Sequence, residues 1–164
     1  MSQDELLLRP IGAVRSTLRD RSLAPMQGHE GAPDAWIELV DEVVPAARHL
    51  AVGDDVLLLT WLHQADRTVL EVHPRSDPAV PLTGVFSTRS PDRPNPIGLH
   101  EVRVLAVDGA RVRVGPLEAI DGTPVLDLKP LFRRAVAGSG PRRKPARPAR
   151  KANVKSKSRS KSGR

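Results

Sequence analysis

Cysteine and tyrosine are both absent from this 164-residue chain, and only four aromatic residues are present: Trp36, Trp61, Phe86 and Phe132. Without cysteine there is no disulfide, no thiolate metal ligand and no cysteine nucleophile. With so few rings, a core has to be assembled from Val, Leu, Ile and Ala. A surface that reads single strands by stacking bases on aromatic side chains also lacks its platform. No apolar run reaches the roughly 20 residues of a membrane helix, so no membrane partner is expected. The opening Met-Ser-Gln-Asp-Glu is acidic and has no signal-peptide basic region. The expectation is a soluble cytoplasmic protein.

Several catalytic signatures are missing too. There is no G-x-S-x-G elbow, no G-x-G-x-x-G and no P-loop. The five histidines, His29, His49, His63, His73 and His100, show neither the close helical spacing nor the cysteine partners of a metal site. No metal is expected.

Charge is present in quantity but unevenly. The formal net charge is +7, from 26 Lys and Arg against 19 Asp and Glu. Residues 138–164 contain 11 of the basic residues and no acid, which leaves residues 1–137 with a net of −4. The basic character belongs to the tail. That tail has a single Val as its only large apolar residue, cannot bury enough surface to offset the entropy of ordering, and reads as disordered. Electrostatic affinity for RNA phosphates is one reading of it; a solvated tail without a specific role is the other. The expected organisation is a folded domain over residues 1–137 followed by a disordered Lys/Arg/Ser/Pro-rich segment over 138–164.

The body reads as short strands with Pro and Gly punctuation. Candidates are Ile11–Thr17, Trp36–Val44, Asp55–Gln64, Thr68–His73, Gly84–Thr88, Glu101–Val107, Arg111–Val114 and Val125–Leu128. The nearly continuous apolar run of Asp55–Gln64 predicts a strand buried on both faces. Asp108-Gly109 is a strong hairpin signal. Pro45–Leu50 alone invites a short helix. Many short strands and few helices predict an all-β fold, a small barrel or sandwich.

The most unusual stretch is Gly84–Gly98, GVFSTRSPDRPNPIG. Pro91, Pro94 and Pro96 exclude a helix or a central strand and push their predecessors toward extended conformations. The result is a stiff loop that presents Arg89, Arg93 and Asn95. Such a loop loses little entropy on binding and suits a polar, partly anionic ligand; a rigid connector with solvated arginines is the alternative. In Ile120–Pro130, IDGTPVLDLKP, Asp121-Gly122 is a turn signal and Pro124 fixes the backbone. Asp127 and Lys129 share a strand face there, free either to pair with each other or to meet a substrate. His63-Gln64 ends the most apolar strand, where functional side chains gather, although a histidine there can equally be hydrogen-bonded within the fold.

GVFSTRSPDRPNPIG, the upstream HQ, the downstream DGTPVLDLKP and the opening PIGAVRST together resemble the TsaA-like, or TrmO, family of tRNA methyltransferases. The matching blocks run from about residue 9 to 132. The resemblance implies a small single-sheet β-barrel and a homodimer that binds S-adenosylmethionine near the subunit interface. It also implies methylation of N6 of N6-threonylcarbamoyladenosine beside the tRNA anticodon. The implied cofactor contacts are Pro25, Met26 and Gln27; His63 and Gln64; Arg89 and Leu99; and Asp121, Gly122, Thr123 and Pro124. Arg93, Asn95 and Lys129 are candidates for orienting the nucleotide, and Asp127 for a general base. Three features depart from the family pattern. Met26 stands where relatives often carry Arg, Asp92 precedes R-P-N-P where an aromatic or apolar residue is usual, and the basic tail stands where many bacterial relatives carry a second domain. An enzyme with another RNA or small-molecule acceptor, and a non-catalytic RNA-binding barrel, are the competing readings.

Overall fold

Valine, spaced two residues apart, builds the interior. A computed structural model describes residues 7–132; the expected domain boundary at 137 and the basic tail lie outside the described residues. Strands β1 (Gly12–Arg15), β2 (Ala35–Leu39), β3 (Asp55–Trp61), β6 (Ile97–Asp108), β7 (Arg111–Gly115) and β8 (Pro124–Pro130) pair antiparallel in the order β1-β2-β7-β6-β3-β8. β8 pairs back to β1, closing the sheet into a barrel without free edges. A two-stranded ribbon, β4 (Glu71–Val72) with β5 (Thr83–Gly84), lies in the β3–β6 connection.

Alternate residues face inward, as the pleat requires. The core contains Val14, Ile37, Val56, Leu58, Val102, Val104, Val112, Val114, Leu117 and Val125. None of the four aromatics belongs to it. The interior is aliphatic and rich in β-branched residues, which suit a curved, pleated wall.

The structure redraws several expected elements. β3 is buried on alternate residues, because a one-layer barrel has a single buried face; Leu57, Leu59 and Trp61 point outward, partly exposed. Within Thr68–His73 only Glu71 and Val72 are extended in a ladder. The Asp66 carboxylate accepts hydrogen bonds from the Thr68 backbone N–H (2.8 Å) and hydroxyl (2.7 Å), which folds the start of that segment into a turn. The strand expected over Trp36–Val44 stops at Leu39, and a 3-10 helix at Asp41–Ala47 replaces the helix expected at Pro45–Leu50. β6 begins four residues earlier than expected, directly after Pro96. The hairpin turn falls on Gly109 and Ala110, with Asp108 paired to Arg111.

Connectivity sorts the loops. In an antiparallel ring, alternate connections emerge at the same end. Residues 16–34, 62–96 and 116–123 therefore share one end of the barrel, and residues 40–54 and the 109–110 turn share the other.

Candidate functional site

The three connections at one end, of which 16–34 and 62–96 are long, supply the Pro25–Gln27 turn, the His63-Gln64 pair, Arg89 and the turn that runs from Asp121 into Pro124 of β8. Leu99, the third residue of β6, faces outward near the same end and is 48% exposed. Four segments far apart in sequence thus belong to connections that emerge at the same end of the barrel.

Arg21 fastens two of these connections. Its guanidinium donates from Nη1 to the Gln64 carbonyl (2.7 Å) and from Nη2 to both carboxylate oxygens of Asp92 (3.0 and 2.8 Å). Asp92 also accepts from the Asp66 backbone N–H at 2.8 Å. One carboxylate therefore ties the 16–34 loop, the turn after β3 and the proline loop. Arg67 adds a bond to the Pro94 carbonyl (2.9 Å) and lies over the Trp61 ring, 5.4 Å from its centroid. Two short turns stiffen the approach. The Ser22 backbone N–H and then its hydroxyl hold the Asp20 carboxyl below the ordinary carboxylate range. The Thr68 hydroxyl and then its backbone N–H do the same for Asp66.

Arg93 turns inward on its own loop. It donates to the carbonyls of Ser90 (2.8 Å), Val85 (3.0 Å) and Thr88 (2.6 Å), so most of its donors hold the loop's shape. Arg89 is different: it is exposed and makes no hydrogen bond or ion pair among the described residues. His63 and Gln64 are exposed, and their side chains have no partner among the described residues. Asn95 is exposed, with its carbonyl accepting from Ile97 N–H at 2.8 Å. Met26 is 51% exposed.

The D-G-T-P turn is anchored from both sides. Asp121 N–H donates to the Leu18 carbonyl (2.7 Å), and its carboxylate accepts from Ser16 N–H (3.1 Å). Gly122 has φ +79°, a left-handed conformation that glycine adopts without strain. The Thr123 side chain is buried and donates to the Ile120 carbonyl at 2.7 Å. A shallow cavity of about 490 Å³ opens between Ser16, Thr17, Arg19, Asp121, Trp36 and Arg113; of the expected cofactor residues only Asp121 lines it.

Asp127 and Lys129 lie on β8, on the outer wall. Their side chains pair at 2.7 Å, the first of the two alternatives the sequence left open. Asp127 is in register with Leu59, which is in register with Leu99, so the three form one row across adjacent strands.

Sequence reasoning did not single out the buried His100. Its Nδ1 lies 2.8 Å from Glu118 Oε1 and its Nε2 2.9 Å from Thr60 Oγ1. The period of two would have turned this residue inward had β6 been extended back to Ile97. Arg21, Asp66, Asp92 and Glu118 sit in connections that obey no period.

The family model of the tRNA-methyltransferase O N-terminal domain matches residues 13–135. A probable S-adenosyl-L-methionine-binding protein of Methanothermobacter thermautotrophicus is 43% identical over 132 residues, which cover 80% of this chain and 94% of that protein. An S-adenosyl-L-methionine-binding protein of Archaeoglobus fulgidus is 38% identical over 124 residues, covering 76% of this chain and 88% of that one. Among solved structures, a TrmO crystal structure superposes with a TM-score of 0.64 at 30% identity and TrmO from Pseudomonas aeruginosa with 0.63 at 29%. These cover 85% and 83% of this chain but only 62% and 61% of theirs. The chain thus spans less than two thirds of the TrmO proteins it matches in structure, while it spans nearly all of the archaeal relative. By the match of its barrel and loops, the chain belongs to the TrmO family of tRNA methyltransferases.

Proposed function

We propose that this protein binds S-adenosylmethionine at the loop-bearing end of the barrel and methylates N6 of N6-threonylcarbamoyladenosine beside the anticodon of tRNA. The observation that carries the reading is that the connections holding residues 25–27, 63–64, 89 and 121–124 all emerge at one end of the barrel. Family membership and the names of the archaeal relatives, both S-adenosyl-L-methionine-binding proteins, support the cofactor.

The residues present fit such a group. An exposed, unpartnered guanidinium at Arg89 suits a carboxylate. Exposed Met26 and Leu99 offer apolar contact to a purine, and the side-chain amides of Gln27 and Gln64 offer donors and acceptors. When bound, the cofactor supplies an electrophilic methyl, so that a carbon–sulfur bond breaks, a carbon–nitrogen bond forms and the nitrogen releases a proton.

The protein's task is then to bind, align and exclude water. The Arg21–Asp92 tie and the inward bonds of Arg93 hold the loops before a ligand arrives, which lowers the ordering cost. Asp127 could accept the released proton only by loosening its 2.7 Å pairing with Lys129. Leu57, Leu59, Trp61, Ile97 and Leu99 make an apolar strip on the outer wall beside that pair. The strip suits a second copy of the chain and supports a homodimer. The basic residues of 138–164 would add salt-sensitive affinity for tRNA phosphates.

The test is to incubate the protein with S-adenosylmethionine and tRNA carrying threonylcarbamoyladenosine, and to digest the tRNA for mass spectrometry. A gain of one methyl on that nucleoside is expected. Cofactor binding without that gain would transfer the search to another acceptor; no cofactor binding would leave an RNA-binding barrel.

A further inference from the structure

The barrel interior is aliphatic except at the loop-bearing end. Only three polar side chains are buried among the described residues: Thr60, His100 and Thr123. Thr60 ends the inner row of β3, and His100 lies on the inner face of β6. A carboxylate can only accept, so the His100–Glu118 bond of 2.8 Å puts the imidazole proton on Nδ1. Nε2 shares a hydrogen bond of 2.9 Å with the Thr60 hydroxyl, which can donate or accept. No buried side-chain nitrogen or oxygen lacks a partner among the described residues. The result is a satisfied polar beam from β3 through β6 to the 116–123 loop.

Stability does not call for such a beam. Aliphatic residues fill the rest of this interior, and a buried polar group gains little more from its hydrogen bonds than it loses in leaving water. What a satisfied buried network adds is direction and rigidity. Two glycines show what is being directed. A Cβ at Gly98 would overlap Thr60 Oγ1 and come within 2.5 Å of His100 Nε2. A Cβ at Gly28 would come within 2.9 Å of the Pro116 carbonyl and 3.0 Å of Glu118 Oε2. Gly98 immediately precedes Leu99, and Gly28 immediately follows Gln27. The beam therefore lies, at its two ends, close against the backbone of two segments assigned above to the cofactor.

We propose that Glu118 and His100 are positioning residues of the cofactor site, setting the distance between the Pro25–Gln27 turn and the Gly98–Leu99 strand through backbone contact at Gly28 and Gly98. This inference rests on the proposed cofactor site. Glu118 and His100 touch no reacting atom; they act through Gln27 and Leu99.

The experiment is a calorimetric titration of S-adenosylhomocysteine into the full chain, with a thermal melt of each protein. The variants are Glu118→Ala, Glu118→Gln and Gly28→Ala. Glu118→Ala is expected to weaken binding about tenfold, because the ligand then has to order the Pro25–Gln27 turn itself. Glu118→Gln keeps an acceptor for Nδ1–H and should bind within about threefold of the parent. Gly28→Ala leaves the beam's own bonds in place but displaces the turn. Its Cβ also meets the Pro116 carbonyl, so its melting temperature falls too; weakened binding measured well below that temperature, where the variant is fully folded, is what a merely stabilising role does not produce. Should Glu118→Ala fail to fold, the Gly28→Ala and Glu118→Gln pair decides. Parent-like affinity in folded Gly28→Ala and Glu118→Ala overturns the inference while leaving the cofactor site intact. Absence of binding in the parent overturns the cofactor site itself, and the positioning role with it.

Discussion

At one end of the barrel the chain returns through residues 16–34, 62–96 and 116–123; at the other it turns through residues 40–54 and the pair Gly109-Ala110. Charged side chains behave differently at these two ends. Near the short-turn end, Arg103 pairs with Asp55 and Arg111 with Asp108, each directly across a ladder. Those pairs follow from strand register and stay on the surface. At the long-loop end, Arg21 reaches Asp92, 71 positions away, and also holds the Gln64 carbonyl. Arg93 spends its donors on loop carbonyls, and a histidine with a carboxylate partner enters an otherwise aliphatic interior. Ion pairs that follow from register join neighbouring strands; bonds between distant segments hold the loops in place.

The contrast can be broken at several points. Truncation of the core should harm both ends alike. Leu58 is fully buried, and Leu58→Ala should lower unfolding free energy by about 2–5 kcal/mol in a denaturant titration. A loss below about 1 kcal/mol would mean that the barrel does not rest on its aliphatic interior.

Arg89→Ala should act on the long-loop end alone. Losing a charged hydrogen bond to a ligand costs about 1.5–3 kcal/mol, roughly a 10- to 100-fold weaker cofactor. Its melting temperature should stay within about 1 °C of the parent, since Arg89 has no partner among the described residues to lose. Arg21→Ala should be milder. The Arg21 and Asp92 side chains are 43% and 26% exposed, and such pairs contribute about 0–1 kcal/mol. Cofactor affinity should fall about two- to fivefold, with the difference shrinking in 1 M salt. An effect as large as that of Arg89→Ala would place Arg21 in direct contact with the ligand.

The Asp20 and Asp66 turns give a test by pH. Both carboxyls are held below the ordinary value by donors from Ser22 and Thr68. A folded pKa below the unfolded value of about 3.9 means that their contribution is complete above it and is lost as pH falls through the folded value. The amide resonances of Ser22 and Thr68 should therefore be flat from pH 8 to 5 and titrate with midpoints below about 3.9. A midpoint above that value would contradict the turns. The smallest effect belongs to the other end. Arg111→Ala removes a surface pair and a guanidinium 5.0 Å from the Trp36 ring centroid, and should leave cofactor affinity unchanged.

The same contrast explains what the sequence revealed. The strand pairs at the short-turn end were legible because their rules are periodic; the 3-10 helix at Asp41–Ala47, where the strand was expected to run to Val44 and a helix to fill Pro45–Leu50, was not. Alternating valines gave β7, Asp108-Gly109 announced the hairpin, and the scarcity of rings pointed to an aliphatic core. The long-loop end was legible as stiffness, through Pro91, Pro94 and Pro96, and as a set of segments matching a known family. Its internal bonds were not. Asp92 read as a departure from the family pattern and proves to be the junction of three segments, because no local signal couples residue 92 to residues 21 and 66. Arg89 was expected to meet the cofactor and Arg93 the nucleotide; the fold turns Arg93 onto loop carbonyls and leaves Arg89 exposed. His100 was hidden by Gly98, which reads as loop punctuation and in fact makes room for the imidazole.

On the proposed function, the long-loop end holds the cofactor. Titration of S-adenosylmethionine into the parent chain, Arg89→Ala and Arg111→Ala tests it most directly. The parent should bind, Arg89→Ala should bind at least tenfold more weakly, and Arg111→Ala should bind as the parent does. Equal affinities in Arg89→Ala and the parent, or a selective loss in Arg111→Ala, would contradict it.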